Sequence, residues 1–102
     1  MAIFDVTIIP IGTGSPSVSS YVADIHHILE KYKEEGKITF QLTPMNTLIE
    51  GELKDLFEVV QAIHEAPYNK GIQRVATNIR IDDRRDKVTT MQGKLESVKN
   101  KM

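Results

Sequence analysis

Residues 38–51, ITFQLTPMNTLIEG, decide the fold. Ile38, Phe40 and Leu42 alternate with Thr39, Gln41 and Thr43, the period-two pattern of a half-buried strand. Pro44 interrupts it, Asn46 to Glu50 reads as a further strand, and Gly51 breaks the chain again. A connection this short joins antiparallel neighbours, so the stretch predicts two adjacent strands with only a turn between them.

Working outward, helical patterns flank this pair on both sides. Upstream, Val18, Tyr21, Val22, Ile25, Ile28, Leu29 and Tyr32 recur at three- and four-residue steps, an amphipathic helix that closes near Gly36. Ser15-Pro16 predicts its start, because Ser caps orphan N–H groups and Pro loses nothing at the first helical position. Downstream, Leu53, Leu56, Phe57, Val60 and Ile63 mark a second helix that stops before Pro67, with Glu52 and Asp55 at its positive end. Outside both helices lie two more strands. In Ala2 to Ile11, Phe4, Val6 and Ile8 alternate with Asp5, Thr7 and Ile9 until Pro10 and Gly12-Thr13-Gly14 end the run. From Arg74 to Asp82, Val75, Thr77, Ile79 and Ile81 share one face. A last helix runs from about Asp86 to Lys101.

The resulting β-α-β-β-α-β order is the split βαβ arrangement, a ferredoxin-like α+β fold with an antiparallel sheet, two helices on one face and an additional C-terminal helix. The other sheet face then carries Asp5, Thr7, Ile9, Thr39, Gln41 and Thr43 mixed with apolar residues such as Ile3, a surface suited to docking. Val88, Met91, Leu95, Val98 and Met102 form a narrow stripe on the last helix. That helix either folds back on its own sheet or packs on another subunit.

A chain of 102 residues, 40% hydrophobic and 26% charged, fits one globular domain spanning residues 1–102. A net charge of −1 gives no reason to expect nucleic acid or an anionic membrane as the main partner, although the chain from Arg84 onward is basic. With three Phe, three Tyr and no Trp, and with Phe4 and Phe40 on the helix side, the sheet lacks the aromatic platform that RNA recognition needs. The absence of cysteine removes disulfides, thiolate metal sites and thiol nucleophiles and fits a reducing cytoplasm. The N-terminal run is too short and too alternating for a signal peptide, and no run is long enough for a membrane helix.

Few residues carry obvious chemistry. His26 and His27 are adjacent on a helix and point about 100° apart, unlike the i, i+4 spacing of helical metal ligands, and His64 lies beside Glu65. These read as solvated helix-surface histidines, with no metal site and no cofactor expected. Ser15, Ser17, Ser19 and Ser20 follow Gly12 and Gly14 without a nucleophile elbow, a triad or a P-loop lysine. They cap a helix, meet an anion at its N-terminus, or line a polar pocket. In Pro44 to Gly51, Thr47 and Glu50 fall close together at a strand edge, where Glu50 favours the next helix or accepts hydrogen bonds from an aminopyrimidine or cationic ligand. Asp82-Asp83-Arg84-Arg85-Asp86 reads as a solvated, ion-paired turn.

An ordered set of residues then resembles the thiamine-binding-protein family of YkoF-like ferredoxin-fold domains, formerly of unknown function. It comprises Ile9 to Thr13, Ser15, Ser17, Ser20, Tyr21-Val22, Pro44-Met45, Thr47 to Gly51, His64-Glu65, Gly71, Arg74-Val75, Ile81-Asp82 and Arg84. The resemblance implies a dimer or tetramer that binds thiamine or its hydroxymethylpyrimidine moiety without a known reaction. It places Ser17, Ser20, Thr43, Thr47 and Glu50 around the pocket; Tyr21, Met45 and Leu48 offer apolar contact. Asn46 stands where the family more often carries Gly, so it bears directly on the pocket. The expectation is a cytoplasmic homo-oligomeric binding protein and not an enzyme, with Ser17, Ser20, Tyr21, Thr43, Met45, Asn46, Thr47 and Glu50 as ligand-binding residues. The alternatives are a purely structural oligomeric module, or an enzyme on a pyrimidine-like substrate with Glu50 as base and His64 in support.

Overall fold

The computed structural model describes residues 1–15, 18–87 and 90–102. Its elements are β1 (Ala2–Pro10), α1 (Ser19–Glu34), β2 (Ile38–Leu42), β3 (Thr47–Gly51), α2 (Leu53–Glu65), a 3-10 turn (Ala66–Lys70), β4 (Val75–Asp83) and α3 (Met91–Lys101). The sheet order is β2-β3-β1-β4 with every pairing antiparallel, which is the ferredoxin-like arrangement with an appended helix.

Register places Phe4 between Ile49 and Ile81, and Val6 between Thr47 and Ile79. One sheet face therefore collects Phe4, Val6, Ile38 and Ile49 and buries them against Ile25 and Leu29 of α1 and Leu56, Val59, Val60 and Ile63 of α2. Phe4 also meets Phe57 edge-to-face at 5.1 Å. The two helices lie over β1, β2 and β3 and leave the edge strand β4 less covered. Ile79 and Ile81, although on the apolar face, are accordingly 40% and 44% exposed.

The α1 boundary after Glu34 is a Schellman closure: Gly36 takes a left-handed φ of 77°, its N–H donates to Lys33 O, and the Lys37 N–H donates to Tyr32 O. Gly51 is required for space, because a Cβ there would sit 2.7 Å from the Lys37 carbonyl oxygen.

Two boundaries differ from the sequence reading. The first helix begins at Ser19, with Val18 at its cap position and no side-chain cap. Gly12 and Gly14 both adopt positive φ, and Thr13 Oγ1 donates to Ser15 O at 2.5 Å, so the chain turns as a loop up to Ser15, and the apolar periodicity starts at Val18. Pro16 of the anticipated start lies outside the described residues. The last helix begins at Met91 instead of about Asp86: Arg85 and Arg84 fork onto Asp83 and Asp86, and Thr90 is the cap, accepting from Gly93 N at 2.9 Å. Val88 of its stripe also lies outside the described residues.

The final helix does fold back over its own sheet. Glu50 Oε2 accepts from Met91 N at 2.8 Å, Lys94 pairs with Asp82 at 2.7 Å, and Ile3 beneath is only 8% exposed. Of its apolar stripe, Leu95 and Val98 remain 48% and 58% exposed.

Candidate functional site

Two clefts meet at the turn between β2 and β3. The first, about 300 Å³, lies at the end of the sheet, where the C-terminal half of β1, the start of α1 and residues 42–47 converge. Its walls are mainly apolar, with Val18, Val22, Ile25 and Pro10, and its polar groups come from Thr7, Thr43, Asn46 and Thr47. The second, about 620 Å³, lies between the other sheet face and α3, with Ile3 and Leu48 below and Met91, Leu95 and Val98 above. Asn46 lines both.

The turn is built by its own side chains. Thr43 N donates to Asn46 O at 2.9 Å, and Thr43 Oγ1 accepts from Asn46 N at 3.0 Å and Met45 N at 3.3 Å. The Thr43 hydroxyl donates to Asn46 Oδ1. Asn46 Nδ2 donates to Asp5 Oδ1 at 2.6 Å, and Asp5 Oδ2 pairs with Arg80 at 2.7 Å. A carboxylate only accepts, so Asp5 fixes which end of the Asn46 amide carries nitrogen. The result is a continuous polar chain from β4 through β1 to the turn, anchored on a half-buried carboxylate in the central strand.

The anticipated binding residues divide accordingly. Thr43, Met45, Asn46 and Thr47 come together in the first cleft. Ser20 and Tyr21 lie elsewhere on α1, against Lys70 of the 3-10 turn: its ammonium donates to Ser20 O, sits 5.4 Å from the Tyr21 ring centre and pairs with Asp24 at 2.9 Å. Glu50 is on the opposite sheet face from the core, bonded to Thr39 Oγ1 at 2.7 Å and to the first N–H of α3. Ser17 lies outside the described residues. Sequence reasoning missed Asp5 and Arg80 as part of this network. The available signal was a carboxylate set between Phe4 and Val6 in an apolar strand.

The histidines differ from the solvated set anticipated. His27 is exposed, but His26 packs edge-to-face on Phe40 at 5.5 Å, and His64 Nδ1 is 2.6 Å from Thr77 Oγ1. Thr77 faces the same side as Ile8, so His64 and Glu50 lie across the sheet from one another and do not form one acid/base pair. Among the described residues no cluster of three or more His, Asp or Glu is placed to hold a metal ion. Shifted ionisation is found in the exposed segment 83–86, where a hydrogen bond from Arg85 lowers the Asp83 carboxyl and one from Arg84 lowers Asp86. No helix among the described residues is long and apolar enough to cross a membrane. What the first cleft can do is hold a small, largely apolar molecule and read a few hydrogen-bonding groups on it.

A UPF0045 protein, YqgV, of Bacillus subtilis is 76% identical over 98 residues, 96% of this chain and 94% of the relative. A UPF0045 protein of Staphylococcus xylosus is 66% identical over 96% of this chain and 92% of its own length. The crystal structure of the hypothetical protein MJ1052 from Methanocaldococcus jannaschii superposes with a TM-score of 0.84 at 30% identity, covering 96% of this chain and 95% of that one. The family model for thiamine-binding proteins matches residues 4–99, nearly the whole sheet, both packed helices and most of α3, and the chain belongs to the thiamine-binding protein family.

Proposed function

We propose that this protein binds thiamine or its hydroxymethylpyrimidine moiety in the cleft between the start of α1 and the Thr43–Thr47 turn, and releases it unchanged. The observation that carries the reading is the combination, in a cleft of about 300 Å³, of Val18 and Val22 walls with Thr43, Asn46 and Thr47. That volume is at the small end of ligand pockets, which run from about 300 to 1,000 Å³, and suits a small heterocyclic ligand. In this reading Ser20, Tyr21 and Glu50 act indirectly, by seating α1 and α3. Binding without turnover needs no paired acid and base, which agrees with Glu50 and His64 lying on opposite faces.

The chain is proposed to act as one domain in a cytoplasmic homodimer or homotetramer, with the exposed apolar side chains Phe57, Ile79 and Ile81 available for subunit contact. The test is calorimetric titration with thiamine and with hydroxymethylpyrimidine, beside Thr47→Ala, with the recovered ligand checked by mass spectrometry. Saturable binding in the micromolar range or tighter, weakened by the substitution, with ligand recovered intact, supports the reading. Absence of heat at millimolar ligand overturns it; a changed ligand mass favours the enzymatic alternative.

A further inference from the structure

We infer that the open edge of β4 is a self-association surface whose partner is β4 of a second copy, paired antiparallel about a two-fold axis at Ile79 into one continuous sheet; this rests on the homo-oligomeric assembly proposed above and assigns its contact. The two edges of the sheet are built differently. β2 is five residues long, and Pro44 follows closely on its end at Leu42. A short edge strand offers little to pair with. β4 runs nine residues, pairs without interruption to β1 on its inner side, and contains no Pro, Gly or bulge. Among the described residues no strand lies along its outer side.

The register tells which backbone groups face outward. Ile11 N donates to Arg74 O at 2.9 Å, in line with the β1–β4 ladder. Hydrogen-bonded pairs alternate along such a ladder. Ala76, Asn78, Arg80 and Asp82 therefore turn their N–H and C=O groups toward β1, and Val75, Thr77, Ile79, Ile81 and Asp83 turn theirs to the open edge. A two-fold contact must be self-complementary. With Ile79 opposite its own copy, the full strands overlap and every outward-facing residue meets another. Ile81 then lies opposite Thr77, and on the other face Arg80 lies opposite Asn78 and Asp82 opposite Ala76, so no like charges are opposed. Moving the axis to Arg80 would set two guanidinium groups face to face. Ile79 and Ile81, which the packed helices leave 40% and 44% exposed, gain apolar neighbours from the second copy.

Light scattering after size exclusion, on the full chain and two variants, tests the pairing. Ile79→Pro removes an N–H that β1 does not use, a change that an edge strand tolerates. Ile79→Lys opposes two ammonium groups across the axis. Wild type is expected as a dimer or a multiple of one, and each variant at half the wild-type mass with its circular dichroism kept. If Ile79→Pro does not fold, Ile79→Lys decides. Hydrogen exchange reads the strand pairing itself. In wild type the amides of Thr77, Ile79 and Ile81 are expected to be protected as well as those of Asn78 and Arg80; in Ile79→Lys only the latter stay protected. Folded variants of wild-type mass, or fast exchange at Thr77, Ile79 and Ile81 in the assembled wild type, overturn the inference and leave assembly through another face standing. A wild type that is monomeric at every concentration overturns both the inference and the homo-oligomeric reading, without touching ligand binding.

Discussion

The two faces of this sheet are covered by different physics. On one, α1 and α2 seal Phe4, Ile49, Leu56 and Ile63 completely from water. On the other, α3 buries none of its own residues and is held at its first turns by the Glu50–Met91 hydrogen bond, the Lys94–Asp82 ion pair and the Thr90 cap. Burial is cooperative and stabilises the whole domain. A few polar tethers stabilise only the element that they hold. The cleft assigned to the ligand lies at the end of the well-packed side, with the buried Val6 and Ile25 in its wall. The wider cleft under α3 is roofed by Leu95 and Val98, which are half-exposed.

The sharpest way to break this contrast is to damage each face separately. Phe4→Ala on the packed side removes a fully buried ring and its contact with Phe57, and is expected to cost about 3–5 kcal/mol. Urea unfolding reads this as a large fall in midpoint. Gly51→Ala forces a Cβ toward the Lys37 carbonyl at 2.7 Å and is expected to cost about 1–3 kcal/mol by the same measurement.

On the other side, Glu50→Ala should lower the opening free energy of α3 by about 1–2 kcal/mol and leave the urea midpoint nearly unmoved. Hydrogen exchange would show faster exchange confined to residues 91–101. A global loss of stability in that variant would contradict the division between the faces.

The smallest effect is a pH dependence in the segment leading to α3. Hydrogen bonds from Arg85 and Arg84 hold the Asp83 and Asp86 carboxyls below their ordinary values. A depressed folded-state pKa means that this ordering is fully present above the unfolded carboxylate value of about 3.9 and is lost as pH falls through the lowered ones. Side-chain NMR of Asp83 and Asp86 should show titration in that acid range with no change above about pH 5. Titration at the ordinary carboxylate value would remove the clasp from the account.

How much of this was legible in the sequence follows the same contrast. The packed face was, because alternation in residues 2–11 and 38–50 and three- and four-residue spacing in the helices report burial directly. The start of α1 was misread because Ser15-Pro16 carries a good local signal, whereas the decisive facts, positive φ at Gly12 and Gly14 and an apolar stripe that begins only at Val18, lie on either side of it. Thr43, Met45, Asn46 and Thr47 were legible as a group because one short turn holds them together. Ser20 and Tyr21 lie against Lys70 and not at that turn, a placement set by helix rotation of about 100° per residue. The Glu50–Met91 and Asp5–Arg80 contacts join residues 41 and 75 apart in sequence, which no local pattern records.

The ligand is proposed to occupy the cleft at the end of the packed face. Amide chemical-shift mapping during a thiamine titration tests it most directly. Saturable shifts are expected at Val18, Val22, Thr43, Asn46 and Thr47, with α3 unaffected. Shifts confined to Leu48, Met91, Leu95 and Val98 would place the ligand under α3 and contradict it.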